Sequence, residues 1–276
     1  MPEKTNSESK LLPEYENPPL TEVICGVTFK PLDNFISAHF GLLWTKFQPD
    51  FPTINEVAPL VSLVEIFEEQ PLEVEMGLTD VPPLPREMFV SKDGNNIIQV
   101  QRERFIFNWR KVRPEDSYPR YTSVIRSFQE KFAVFENFIG VVGMDIKPQQ
   151  YELTYVNQIA QEELWENAGD IGKIFPNLNL VFDNHLVLEE PEIVNCRISF
   201  ILPDKLGRLY ATIQTGAVRG SEKKPVVVFD LTVRGVTNQS LPNMRDWFDL
   251  AHEWIVKGFT DLTSKKVQNE VWRRLQ

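Results

Sequence analysis

Apolar and polar side chains alternate most clearly over Arg104–Arg110, where Phe105, Phe107 and Trp109 interleave with Arg104, Ile106, Asn108 and Arg110. A period of two places the three aromatics on one face of a strand and a mostly polar set on the other. Upstream, the extended runs Glu87–Ser91 and Ile97–Gln101 flank Asp93-Gly94-Asn95-Asn96. Gly and Asn tolerate positive φ, and Asp bonds its own backbone two residues on, so this tetrad reads as a turn. With a second tight connection at Arg102-Glu103, Glu87–Arg110 predicts a three-stranded antiparallel meander. One face is covered by something apolar. The other, carrying Gln99, Gln101, Arg104, Asn108 and Arg110, is at least partly wet.

The same test runs through the rest of the chain. Met1–Asn17 has no period and reads as a flexible tail stopped by Pro18-Pro19. Thr21–Lys30 alternates as a strand, and Phe35–Phe47 has helical spacing after a cap candidate at Asn34. Asn55–Arg86 is acidic and proline-rich; within it Leu60–Phe67 is strand-like, and the whole is a candidate binding loop. Tyr121–Ile139 repeats Val124, Phe128, Phe132, Phe135 and Ile139 at three to four residues, a helix closed by Gly140 and Gly143. Strands are expected at Gln150–Ile159, Ile193–Leu202, Arg208–Thr215 and Pro225–Gly235. Leu164–Phe175 reads as a short helix, Leu178–His185 as extended and Gly216–Lys224 as an exposed loop. Asn243 caps a last helix with a stripe of Trp247, Ala251, Trp254, Ile255 and Phe259, extended at four-residue spacing through Val267, Val271 and Leu275. Asn157 shares parity with Leu153, Tyr155 and Ile159, so it is expected buried and hydrogen-bonded.

Strand, helix, several antiparallel strands and long helix therefore occur twice, with the break near Gly140–Gln149. The expected fold class is α+β: two similar halves, residues 18–143 and 144–276 after a tail at 1–17, with antiparallel sheets covered by helices on one face. This order of elements resembles the duplicated TATA-binding-protein-like fold and its helix-grip relatives.

Charge narrows the partners. Lys and Arg total 29 against 39 Asp and Glu, a net charge of −10. That argues against a generic binder of nucleic acid or anionic membrane, both of which need a positive field. No apolar run approaches the ~20 residues of a membrane span, and a polar, acidic N-terminus is unlike a signal peptide, so a cytoplasmic location is expected. Cys25 and Cys196 lie far apart in strand-like runs and read as buried free thiols.

Several stretches together resemble a sporadically distributed, functionally uncharacterised bacterial protein family. They are Asn17–Val23, Asp93-Gly94 with Gln99-Val100-Gln101, Arg104–Trp109, Tyr118-Pro119, Tyr155–Ile159 and the late helix with His252-Glu253. The resemblance spans nearly the whole chain. Its patchy distribution implies mobile or conflict-related genes, and it supplies no activity and no catalytic residue.

Chemistry is sparse. His39, His185 and His252 stand at no metal spacing, and His252-Glu253 lacks the second histidine of a zincin motif. There is no phosphate loop and no Gly-x-Ser-x-Gly elbow, and no cofactor is indicated. The candidate binding face is the polar side of the sheet: Arg104, Asn108, Arg110, Gln214, Asp230 and Arg234. The leading expectation is a non-enzymatic binding or assembly module of a bacterial cytoplasmic system, with a link to defence or toxins implied by the resemblance alone. Its partner would be another protein or a second copy, with Val267–Leu275 as candidate interface. Two alternatives stay open: a ligand-binding or hydrolytic protein using a polar cleft with Asp230, and a nucleic-acid binder through Arg104, Arg110 and Arg234. The leading expectation predicts that tagged protein purified from its native host carries a reproducible stoichiometric protein partner, detected by mass spectrometry. Recovery with a small molecule or nucleic acid favours the alternatives instead.

Overall fold

The computed structural model describes residues 11–61, 64–67, 84–161, 164–178, 187, 191–217, 225–237 and 243–276. The expected extended run Leu178–His185 and loop Gly216–Lys224 fall largely outside them. The described chain is mixed α+β, built on a nine-stranded antiparallel sheet. Its strands are β1 (Leu20–Phe29), β2 (Thr53–Val57), β3 (Arg86–Val90), β4 (Asn96–Gln101), β5 (Arg104–Arg110), β6 (Pro148–Ala160), β7 (Asn195–Ile201), β8 (Arg208–Ala217) and β9 (Pro225–Val236). The spatial order is β2-β3-β4-β5-β1-β6-β9-β8-β7. The helices are α1 (Ser37–Phe47), α2 (Tyr121–Val141), α3 (Ile171–Ile174), α4 (Met244–Leu262) and α5 (Lys265–Glu270).

The meander is present as β3-β4-β5, with Gly94 at φ 79° in the first turn. Gln99 faces Ile106 and Gln101 faces Arg104 across β4 and β5. Directly paired residues project to the same face, so the two glutamines lie on the polar side with Arg104 and Asn108. The opposite side is the core. Val23, Cys25, Val27 and Phe29 of β1, Phe105 and Phe107 of β5, and Phe229, Leu231 and Val233 of β9 are all buried there. The helices bring matching stripes. Phe135 of α2 stacks on Phe105 at 5.0 Å between centroids, Phe259 of α4 stacks on Phe229 at 5.9 Å, and Phe128 meets Phe248 at 5.0 Å where α2 and α4 touch. Period two in the strands and period 3.6 in the helices thus converge on one layer of rings.

Four expectations are corrected. Leu60–Phe67 is not a strand in its described residues; β2 lies earlier, and 60–61 and 64–67 cross the polar face as an irregular strap. Helix α1 starts at Ser37, not Phe35, because the His39 ring, rather than Asn34, accepts the Ile36 N–H at 3.1 Å. The last helix breaks at Thr263, whose hydroxyl donates to Phe259 O at 2.7 Å and whose backbone turns extended. Gln268 seals the break, donating to Thr260 O and Thr263 O. Val267 and Trp272 therefore fold back into the core, and of its apolar residues the Val267–Leu275 interface candidate keeps only Val271 and Leu275 exposed. Finally, the tail from Leu11 onward is docked. Tyr15 pairs with Arg274, bonds Thr260 through its hydroxyl at 2.9 Å, and sits edge-on to Phe259 and Trp272.

Glycines test this packing. A Cβ at Gly235 falls inside contact distance of Leu206 O and 2.5 Å from the Trp247 indole nitrogen, which donates to Leu206 O. Gly41, inside α1 and exposed, meets nothing within 4 Å. Gly235→Ala is expected to destabilise by about 1–3 kcal/mol through overpacking. Gly41→Ala is expected to stabilise by about 0.5–1 kcal/mol through helix propensity. Urea unfolding of the two variants measures both.

Candidate functional site

All six residues expected to form a binding face lie on the side of the sheet away from the helices. The registers place them there: Glu22 opposite Arg110, Ile24 opposite Asn108 and Thr28 opposite Arg104, Arg234 opposite Glu152 and Asp230 opposite Val156, and Gln214 opposite Val228. Most are already occupied by the protein itself. Asn108 accepts from Gln99 at 2.8 Å and donates to Glu22 at 2.6 Å. Arg110 donates to Gly94 O, and Arg234 pairs with Glu152. Arg104 reaches Val61 O of the strap. The strap is held across the sheet by a two-way bond between Leu60 and Gln101. Farther along it, Glu65 pairs with Arg208 and accepts from the Tyr210 hydroxyl at 2.7 Å. The three arginines proposed for nucleic acid thus each have an acceptor inside the protein. Gln214 is exposed. Arg104 Nε and one Asp230 carboxyl oxygen are buried with no hydrogen bond, and burial, with the Glu22 carboxylate second, pushes the Asp230 pKa up to about 6.

The other side of the sheet holds a better-formed site. A cavity of about 500 Å³ opens between α2, α4, the β1–β6 pair and the docked segment at Leu11–Tyr15. Leu20, Leu231, Ile255, Val256 and Phe259 make much of its wall. Into this apolar space project Tyr118, Tyr121, Tyr155, Asn157 and His252. The Tyr118 and Tyr155 hydroxyls are 3.0 Å apart, and the Tyr155 hydroxyl lies 2.9 Å from His252 Nδ1. The Tyr121 ring stacks on the His252 imidazole at 4.0 Å and 6°, and its hydroxyl donates to Asp249, which Arg245 holds. Asn157 is 3% exposed and donates to Phe229 O at 2.9 Å. It sits where the β1–β6 register shifts between Leu20 and Glu22, and its buried, bonded state agrees with its parity in the strand.

Burial sets the charge of this group. It lowers the His252 pKa to about 4, against the opposing pull of Asp249 and Glu253. It raises the phenols of Tyr118, Tyr121 and Tyr155 above their ordinary range. At neutral pH the relay is therefore uncharged and acts by hydrogen bonding and apolar contact. Among the described residues no group of three His, Cys, Asp or Glu side chains could hold a metal ion. No helix there is long and apolar enough to cross a membrane.

The hydrophobic pattern alone gave no reason to group these residues, since Tyr118, Tyr155 and His252 lie on a loop, a strand and a helix. Pro18, Leu20, Tyr118, Tyr155, Asn157 and His252, far apart in the chain, share this one cavity. Compared with protein-family models and with curated proteins, the chain matches none.

His252 and Asp230 make opposed contributions to stability. Between pH about 4 and 6.5 the unfolded chain protonates His252 and the folded one does not, so stability rises with pH. Asp230 holds its proton in the folded state up to about pH 6 but releases it near 3.8 when unfolded, so its contribution is lost as pH rises. Asp230→Asn is therefore expected to match the wild type near pH 4 and to exceed it by about 1–2 kcal/mol at pH 7 after solvent screening. His252→Gln is expected to reverse part of the rise between pH 4 and 6.5. Urea unfolding as a function of pH measures both.

Proposed function

We propose that this chain is a non-enzymatic binding module, and that its site is the tyrosine-lined cavity between the helices and the sheet. The observation that carries this reading is a cavity of about 500 Å³ whose apolar wall is interrupted by a small set of converging, buried polar groups. Pockets that bind small molecules have this size and this division of labour, with apolar surface for affinity and a few polar groups for orientation. The polar sheet face supports the competing readings less well, because Arg234 is ion-paired with Glu152 and Arg104 and Arg110 each donate to a backbone carbonyl of the protein.

We also read the two halves as an internal duplication of the TATA-binding-protein-like or helix-grip kind. The support is topological: β1 pairs with β5 as β6 pairs with β9, followed outward by β4, β3 and β2 in one half and by β8 and β7 in the other. A cytoplasmic bacterial setting, and a link to defence or toxin systems, rest on the sequence resemblance alone. Fold likeness of this kind does not supply a function.

Nile red, a neutral apolar fluorophore, tests the binding reading. The wild type is expected to bind it with micromolar affinity. Val256→Trp fills the cavity from a half-buried wall position and is expected to weaken binding at least about ten-fold. Val141→Trp, on the exposed end of α2, leaves it unchanged. Equal binding by all three proteins defeats the reading.

A further inference from the structure

We infer that the cavity selects a neutral, mostly apolar molecule carrying both a hydrogen-bond donor and an acceptor, as a lactam, amide or cyclic imide does. The Tyr118–Tyr155–His252 relay and the Asn157 carbonyl are what read it. This inference rests on the binding reading above and adds the ligand class.

The argument starts from proton counting. A neutral imidazole has one N–H and one lone pair, and each phenol has one O–H. If Tyr118 donates to Tyr155 and Tyr155 donates to His252 Nδ1, the His252 Nε2–H is left as a donor and the Tyr118 oxygen as an acceptor. If Nδ1–H donates to Tyr155 and Tyr155 donates to Tyr118, the roles exchange: Nε2 accepts and the Tyr118 O–H donates. The distances of 3.0 and 2.9 Å serve both senses. The remaining arrangement, with both neighbours donating to Tyr155, strands its buried O–H and is disfavoured. Either satisfied sense therefore presents one donor and one acceptor at opposite ends of the relay. Among the described residues nothing bonds Nε2. Asn157 has its amide nitrogen committed to Phe229 O and its carbonyl oxygen without a donor, although the residue is more than nine-tenths buried. The site thus holds unspent hydrogen-bonding capacity of both signs.

Charge points the same way. The charged side chains at the cavity are Arg120 and Glu14, of opposite sign and both exposed. Among the described residues, the interior offers no counter-ion to an ionised ligand, which would lose its hydration without compensation. A pure hydrocarbon would fit the wall but leave the relay and Asn157 unpaired. A site with buried polar groups discriminates against such a molecule because of that loss.

The test is displacement of Nile red from the wild-type protein by four ring systems of matched size: naphthalene, 2-quinolinone, N-methyl-2-quinolinone and 2-naphthoate. 2-Quinolinone, with N–H beside C=O, is expected to displace at about ten-fold lower concentration than naphthalene or the N-methyl compound, with 2-naphthoate weakest. Tyr155→Phe interrupts the relay and is expected to reduce the preference to within about two-fold. If 2-quinolinone and naphthalene displace equally, or 2-naphthoate displaces best, this inference is overturned while the cavity keeps its binding role. If Nile red does not bind the wild type, or binds Val256→Trp equally well, the binding reading fails and this inference with it. The wild-type series decides between these outcomes even if Tyr155→Phe does not fold.

Discussion

The antiparallel pairing of β1 with β6 is the contact on which the rest of the molecule depends. It joins Leu20–Phe29 to Pro148–Ala160 in the middle of the sheet, with Cys25 opposite Leu153. Each of these strands is also hydrogen-bonded on its other edge, to β5 and to β9, so no backbone group at the centre is left to water. The pairing fixes one register for both halves. It puts the aromatic faces of β5 and β9 on the same side, and α2 and α4 then meet each other over it through Phe128 and Phe248. A slip of one residue would turn Val23, Cys25 and Val27 outward and bring Glu22 and Thr28 into the ring layer, which no compensation in the core could offset.

Of the two register shifts in that pairing, the one between Leu20 and Glu22 is where the candidate site lies. The register shift between Leu20 and Glu22 frees Asn157 from a regular ladder position, and Gln158 bonds Pro19 O instead. A cavity of about 500 Å³ lies at this point, beside a core closed by rings. Tyr118, Tyr155 and His252 then face each other across it. Their hydrogen bonds are made at the cost of losing water, which is why burial rather than any neighbouring charge governs the ionisation of all three. A relay of neutral groups with spare capacity in an apolar wall is suited to recognition and poorly suited to proton transfer at neutral pH.

The opposite face follows a different logic. It is rich in charge, and nearly all of that charge is paired: Arg234 with Glu152, Arg208 with Glu65, Asn108 between Gln99 and Glu22. The strap from Leu60 to Phe67 completes this pairing with its own carbonyls and one carboxylate. Polar residues on an exposed strand face need solvent or partners, and here the chain supplies many of the partners itself. The exceptions are one Asp230 carboxyl oxygen, beside Glu22, and the Nε atoms of Arg86 and Arg104, all buried without a hydrogen bond.

The amino-acid pattern by itself determined the local structure: the meander at Glu87–Arg110, the helices at Tyr121 and Met244, the face assignment of Phe105, Phe107 and Trp109, and the burial of Asn157. These follow from periodicity and turn chemistry, which act over a few residues and are written in neighbouring positions. Tertiary structure decided what depends on distant residues meeting. The strap's course was hidden because Leu60 finds Gln101 and Glu65 finds Arg208 across the sheet, overriding the strand propensity of Leu60–Phe67. The docking of Tyr15 and the fold-back after Thr263 were hidden for the same reason: each needs the other, with Trp272 between them. The cavity exists only where a loop tyrosine, a strand tyrosine and a helix histidine converge, and no spacing along the chain encodes that meeting. Hydrophobic period sets which side of an element is buried; packing between elements sets which polar groups are buried together.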